Sequence, residues 1–389
     1  MNTPAPSPDT GIPVTLLTGF LGSGKTTVLN GLLRHPAMGT AAVIINEFGE
    51  IALDHELVES ARDEMVLLKS GCLCCTVKGD LIDSLRRLFL QRVRGEVPEF
   101  ERVVIETTGL ADPAPIIHTL MADPLVAARY RLDGVVVTVD TVNGMSTLDH
   151  HEEAVKQAAM ADRLLLTKTD LARPEARAAL DARLRALNPA APRITVTAGA
   201  IEPADVLGLG LFDPKTKTAD VGRWLKAEAY DAHEHGEHGH GEHGHGEHDH
   251  GHHDHDHGHH DHDHGHHHHD VNRHDDRVQA FCFTIDQPLE PFAFESWLNV
   301  LTSFRGPNLL RIKGIVNLIG HDRPVAIHGV QDLFHPAVEL AAWPGDDRRS
   351  RIVFITRDLD RSVIADTFAA FTGTEPADAA RFAGLAAPV

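Results

Sequence analysis

Three of the four cysteines in this 389-residue chain stand within four positions, as Cys72, Cys74 and Cys75 of GCLCC. So few thiols in so long a chain do not make a disulfide framework, and adjacent Cys74 and Cys75 are poorly placed to pair with each other. Thiolates bind Zn²⁺, Cu⁺ and other soft or borderline metals well. Thiol redox chemistry expects C-x-x-C, and this stretch is C-x-C-C, so metal binding is favoured over redox chemistry or inert packing. Neighbouring side chains diverge, and a tetrahedral site needs further ligands. Glu47 and Glu50 of NEFGE are the candidates, with His118 a weaker one. Cys282, in the apolar run QAFCFTI, reads as core.

A second cluster suits phosphate chemistry. GFLGSGKT, residues 19–26, fits G-x-x-x-x-G-K-[ST] at every position, after a strand-like run and before a helix-like one. Gly19, Gly22 and Gly24 let the backbone curl so that its N–H groups face phosphate oxygens, and the following helix N-terminus adds partial positive charge. Lys25 reaches the β- and γ-phosphates, and Thr26 holds Mg²⁺. Glu106 ends the apolar run RVVIE, where an acid can organise Mg²⁺ and water, and Gly109 follows where its backbone can sense a γ-phosphate. LLLTKTD resembles the guanine motif N-K-x-D, with Thr167 in place of Asn, then Lys168 and Asp170. A carboxylate accepts from the two donors on guanine's edge, a pair adenine lacks, so GTP is favoured over ATP.

These residues need a scaffold. Residues 11–210 alternate apolar strand-like runs (IPVTLLTG, AAVIIN, MVLLKSG, RVVIETTG, GVVVTVD, RLLLTKTD, RITVTAG) with helical stretches such as GKTTVLNGLLRH and DLIDSLRRLFLQRV. That alternation predicts an α/β P-loop NTPase with a mostly parallel sheet and helices on both faces. Ligands gather at the carboxyl ends of such strands. If MVLLKSG runs parallel to the rest, the loop carrying Cys72, Cys74 and Cys75 shares an edge with the phosphates. A smaller α+β domain is expected over 276–372, with RVQAFCFTID, NLLRIKGIVNLIG, RPVAIHGVQ and SRIVFITRDL as strands and PFAFESWLNVLTSF and RSVIADTFAAF as helices. The expected division is a tail at 1–10, the nucleotide domain at 11–225, a linker at 226–275, the second domain at 276–372 and a tail at 373–389.

Within the linker, residues 233–269 hold twenty of the 29 histidines and no apolar residue, which predicts a disordered segment. Many imidazoles on one segment give numerous weak, exchangeable metal sites that can store metal or concentrate it near a tighter site. Lys plus Arg is 36 against 56 Asp plus Glu, a net of −20, which argues against nucleic acid or anionic lipid as partner. The start MNTPAPSPDTGIP lacks a signal-like pattern and no apolar run approaches a membrane span, so a cytoplasmic protein is expected.

TGFLGSGKTT, NEFGE, GCLCC, ETTGLADP and LLLTKTDL, in that order, resemble the CobW/YjiA-type GTPases, metallochaperone relatives of UreG and HypB. LRIKGIVNL followed by AIHGVQ resembles that family's C-terminal domain, and ETTGLADP is closer to the YjiA-like, zinc-transferring branch. The resemblance implies that Gly19 to Thr27, Ser23 included, form the phosphate loop. It further implies that Glu106 is the acidic Mg²⁺ and water residue, that Thr167 to Asp170 read guanine, and that Cys72, Cys74 and Cys75 bind Zn²⁺ or Co²⁺ under nucleotide control. The expected function is a GTP-hydrolysing metallochaperone that hands metal to a client protein. Metal storage in the histidine segment and cobalt delivery for corrin synthesis are the alternatives. The client is not legible, and a homo-oligomer stays open.

Overall fold

The computed structural model describes residues 11–46, 66–67, 73–77, 81–209, 277–334, 337–343 and 345–376, with 66–67 and 73–77 described as backbone. Glu47, Glu50, Cys72, the tail at 1–10, the linker at 226–275 and the tail from 377 lie outside the described residues.

Eight strands build the first sheet: β1 (Ile12–Gly19), β2 (Ala41–Asn46), β3 (Val66–Leu67), β4 (Leu73–Val77), β5 (Arg102–Thr107), β6 (Tyr130–Asp140), β7 (Arg163–Thr167) and β8 (Arg193–Thr195). Their spatial order is β3-β4-β2-β5-β1-β6-β7-β8. Every neighbouring pair is parallel except β3 with β4. The helices are α1 (Lys25–Leu33), α2 (Leu81–Arg94), α3 (Pro113–Ala122), α4 (Pro124–Ala127), α5 (Gly144–His150), α6 (Glu152–Met160) and α7 (Pro174–Leu187).

Strand residues alternate between two faces, and the two cores follow that alternation. Leu17, Val43, Val104, Val136 and Leu165 meet Val28, Leu29 and Leu32 of α1 on one face. Leu16, Ile44, Ile105 and Val137 meet α2, α3, α6 and α7 on the other. The continuously apolar strands are those covered on both sides.

The second sheet is antiparallel, with strands β9 (Val278–Ile285), β10 (Leu309–Val316), β11 (Val325–Val330), β12 (Leu333–Phe334), β13 (Val338–Glu339) and β14 (Ser350–Arg357). Its order is β12-β11-β10-β14-β9, with β13 on β11. Helices α8 (Pro291–Arg305) and α9 (Arg361–Thr372) cover one face through Trp297, Leu301, Ile364 and Phe368 against Phe283, Ile352 and Phe354. Trp297 meets Phe368 edge-on at 4.9 Å between centroids. Cys282 is a core residue of this domain, packed near Ile315, Leu340 and Val353.

The other face of this sheet lies on the nucleotide domain. Leu310, Val330 and Ile355 join the core beneath α3 and α6. Charges sit inside this apolar contact. Asp162, just past α6, takes ion pairs from Arg311 and from Lys313 at 2.7 Å, and its other oxygen accepts the Val135 amide at 2.9 Å. Arg311 also donates to the Met160 carbonyl. At the opposite end of α6, Glu152 receives Arg277 at 2.8 Å and Arg357. The Gly208 amide donates to Asp133 at 2.8 Å. Arg277 also pairs with Asp358 at 2.6 Å.

Candidate nucleotide site

The phosphate loop turns where β1 ends. Gly19 has φ +143°, and a Cβ there would lie 2.3 Å from Thr138 Oγ1, so a side chain fails on both backbone angle and space. Gly22 and Gly24 also have positive φ, at +69° and +92°. Ser23 lies within hydrogen-bond distance of Thr138 Oγ1, 2.7 Å away, which ties the loop to β6. Lys25, buried at the start of α1, donates to the carbonyls of Gly19 at 2.9 Å and Phe20 at 3.1 Å. Burial pushes its ammonium below the usual lysine range, and the Glu106 charge pulls it back up. Thr26 and Thr27 are exposed on the first turn of α1.

Glu106 is the buried penultimate residue of β5, and its Oε1 accepts from Thr26 Oγ1 at 2.8 Å. A hydroxyl and a carboxylate so close form an all-oxygen donor pair of the kind a hard dication prefers. Past β5, Gly109 presses on the phosphate loop: a Cβ there would stand 2.5 Å from the Leu21 backbone nitrogen. Strands β1 and β5 thus bring together Lys25, Thr26, Glu106 and Gly109.

At the end of β7, Thr167 is buried, and its hydroxyl donates to the Ser23 carbonyl at 2.7 Å and to that of Val139 at 3.2 Å. The hydroxyl therefore ties the TKTD segment to the phosphate loop, whereas the sequence pattern alone suggested contact with a base. Thr167→Val is expected to leave the Ser23 carbonyl without this donor and to cost about 1–2 kcal/mol of stability, measured by thermal or urea unfolding. Lys168 adopts φ +54° and pairs with Asp140 at 2.8 Å. Burial alone would raise the Asp140 carboxyl, but hydrogen bonds from Lys168, Asn143 and two backbone amides outweigh it and hold it low. Asp170 is exposed just beyond.

Sequence reasoning overlooked several contributors. Asp140 ends the apolar strand β6, the same signal that marked Glu106. The turn after β8 packs against α1 through two glycines: a Cβ on Gly31 would lie 2.0 Å from the Gly199 carbonyl oxygen.

The cysteine segment needs a correction. Cys74 and Cys75 lie in strand β4, not in a loop at the sheet's carboxyl edge, and β3 before it runs antiparallel. Thr76 and Val77 of LCCTV are β-branched and suit a pleated strand. Cys75 shares a row with Ile44, Ile105 and Leu16, so its backbone is three residues short of the level of Gly19. It also lies three strand spacings away, about 14 Å. Among the described residues, no group of three or more His, Cys, Asp or Glu is placed to hold a metal. His118, on α3, faces the second domain, with Nε2 2.9 Å from Asp332.

A phosphate loop at the end of β1, an acid at the end of β5 and TKTD at the end of β7, on a parallel sheet, define a P-loop nucleotide-binding protein of the GTPase fold. Residues 13–195 match the CobW/HypB/UreG nucleotide-binding domain, and residues 278–372 match the cobalamin synthesis protein CobW C-terminal domain. The chain belongs to the CobW family of these proteins. It is 31% identical to the zinc chaperone CobW of Pseudomonas aeruginosa over 388 residues, 91% of this chain and 90% of that one. It is 43% identical to the Escherichia coli zinc chaperone YjiA over 191 residues, 49% of this chain and 59% of the relative. With the zinc-regulated GTPase metalloprotein activator 1 of Schizosaccharomyces pombe it shares 35% over 209 residues, 50% of the relative. The chain thus spans 59% and 50% of the length of those last two relatives. The crystal structure of Zn(II)-bound YjiA GTPase from E. coli superposes with a TM-score of 0.67 at 30% identity, covering 93% of this chain and 99% of that one.

Proposed function

We propose that this protein hydrolyses GTP and uses the cycle to hold and release a transition metal, zinc foremost, for a client protein. The observation that carries this reading is the Thr26–Glu106 hydrogen bond. It joins the phosphate loop to the strand that leads into Gly109, within a sheet that also contains the cysteine strand. The names of the relatives, zinc chaperones and zinc-regulated GTPase metalloprotein activators, supply the metal.

In this reading the amides of Gly19, Gly22, Ser23, Gly24, Lys25, Thr26 and Thr27 cradle the phosphates. Lys25 neutralises the β- and γ-oxygens, and Glu106 orients the attacking water. Thr26 and Glu106 would hold Mg²⁺, whose chemistry when bound is to offset charge building on the transferred phosphoryl oxygens. Lys168 and Asp170 select guanine, with Thr167 fixing their segment. Gly109 senses the γ-phosphate through its amide. Cys72, Cys74 and Cys75, with Glu50, hold the cargo ion. GTP orders NEFGE and ETTG around the site, and hydrolysis loosens them and the metal together. A thousandfold change in metal affinity requires about 4 kcal/mol between the two states, and the nucleotide must respond to metal by the same factor. The proposed organisation is a GTPase domain at 11–225, a histidine-rich linker at 226–275 and a C-terminal domain at 276–372 that receives the client. Among the described residues no helix is long and apolar enough to cross a membrane. A cytoplasmic location is part of the proposal and rests on the sequence reading alone.

The test is a zinc titration of the full chain with a non-hydrolysable GTP analogue or with GDP bound, comparing wild type with Cys74→Ala. One tight site, strengthened by the GTP analogue and lost in Cys74→Ala, is the expected result. Equal zinc affinity in both nucleotide states overturns the reading. Twenty histidines in residues 233–269 favour a second reading, metal storage. Storage predicts that deleting the segment removes most bound zinc together with function. Chaperoning predicts that the tight site and its coupling survive.

A further inference from the structure

Helix α6 carries a buried amide that no sequence motif explains. Gln157 is 1% exposed, and its Nε2 donates to the carbonyls of Gly109 at 3.2 Å and Ala111 at 2.9 Å. The residue before it, Lys156, pairs with Asp112 at 3.2 Å, and Asp112 in turn caps α3 by accepting the Ala114 amide at 2.9 Å. The turn from Gly109 to Asp112 is therefore clamped between two bodies. The phosphate loop presses on it through Leu21, and the middle of α6 holds it from behind.

The ends of α6 are fastened elsewhere. Glu152, at its start, binds Arg277 and Arg357. The Met160 carbonyl and Asp162, at its finish, bind Arg311 and Lys313. All four cations belong to the C-terminal domain. Both ends of this nine-residue helix are thus tied to the C-terminal domain, while Ala154, Val155, Ala158 and Ala159 pack in the core of the nucleotide domain. Helix α3, capped by Asp112, repeats the arrangement through His118 and Asp332.

We propose that Gln157 is the positioning residue of the Gly109–Asp112 turn, and that α6 makes the turn's geometry depend on how the C-terminal domain is seated. Gln157 touches no phosphate. It sets where the Gly109 amide points, and a seating change at the C-terminal sheet displaces α6 and the turn with it. The dependence is reciprocal: a nucleotide that prefers one position of the turn favours the matching seat of the domain. Gln157 also borders a cleft of about 280 Å³, together with Phe20, Gly22, Asn143 and Thr147. This inference rests on the reading of Gly109 as the γ-phosphate sensor.

The experiment measures the affinities of the full chain for GDP and for a non-hydrolysable GTP analogue, with kcat and KM for GTP, in four proteins. These are wild type, Gln157→Met, the double variant Arg277→Ala/Arg357→Ala, and Gly109→Ala. Gln157→Met is expected to weaken the GTP analogue about tenfold, leave GDP within twofold, and lower kcat more than it raises KM. The double variant is expected to shift the ratio of GTP-analogue to GDP affinity several-fold, although neither arginine belongs to the nucleotide site. Equal shifts for both nucleotides in Gln157→Met, or a lowered melting temperature alone, reduce Gln157 to a structural residue and overturn the proposal. An unchanged ratio in the double variant overturns the link to the domain. If Gly109→Ala leaves the ratio untouched, the sensor reading fails and the proposal falls with it. If Gly109→Ala abolishes the discrimination and Gln157→Met does not, the proposal alone falls. Should Gln157→Met not fold, Lys156→Met severs only the partly exposed pair to Asp112 and carries the same test with a smaller expected shift.

Discussion

Replacing Asp162 with alanine is expected to destabilise the protein by about 3–5 kcal/mol, because it removes the buried carboxylate that two cations of the C-terminal domain share. Asp162 is 5% exposed at the side chain, and its partners Arg311 and Lys313 are 4% and 12% exposed. The same change removes the acceptor for the Val135 amide, so β6 loses an anchor as the interface does. Burial by itself would raise the Asp162 carboxyl, but the charges and hydrogen bonds of Arg311 and Lys313 outweigh burial and hold it at about 2. A folded-state value below the ordinary 3.8 means the group stabilises the fold above that pH. The stabilisation, about 2 kcal/mol at full ionisation, is lost as pH falls from about 4 through 2. Urea unfolding at neutral pH and at pH 3 should therefore show wild type losing part of its margin in acid. Asp162→Ala, already without the charge, should lose less over the same range. Asp162→Asn keeps an acceptor and isolates the charge. A loss below about 1 kcal/mol in Asp162→Ala would show that the two cations find other partners.

Glu106→Gln is expected to lower the GTP turnover number by about 10²–10³, the usual loss when one preorganised electrostatic contact to a developing charge is removed. Glutamine still accepts from Thr26, so the local hydrogen bond and the fold are kept, and the effect belongs to the lost charge. That charge also acts on Lys25, where it opposes the effect of burial. Without it the ammonium gives up its proton more readily. The alkaline limb of the pH profile of kcat/KM for GTP, which reports groups of the free enzyme, should then move to lower pH in Glu106→Gln than in wild type. Steady-state phosphate release across pH 6–10 checks both parts. Turnover within threefold of wild type, with an unmoved alkaline limb, would remove Glu106 from the site.

The strands that carry chemistry were legible because each ends in a recognisable residue set after a continuous apolar run. IPVTLLTG and AAVIIN became β1 and β2 with the same bounds. NLLRIKGIVNLIG and RPVAIHGVQ were also legible as strands, and they became the antiparallel pair β10 and β11. Strand β4 was not, because three thiols in GCLCC drew attention to what the side chains could bind. The backbone there follows the propensity of Thr76 and Val77 instead. The role of Thr167 was hidden for a different reason. A hydroxyl in place of an amide can be read from the pattern, but the carbonyl it meets lies 144 positions away in the chain. Gln157 did leave a trace, as a single amide within the apolar stripe of Ala154, Val155, Ala158 and Ala159. Arg311 and Lys313 left one too, as charges inside LLRIKGIV. Both traces mark faces that a partner element covers, and only the three-dimensional arrangement names that partner.

The anchoring of Gly208 by Asp133 and of Arg277 by Asp358 and Glu152 fixes the backbone at two points of the described chain. Asp133 and Glu152 both belong to the nucleotide domain, so tension applied between positions 208 and 277 would be carried by that domain's own hydrogen bond and ion pair.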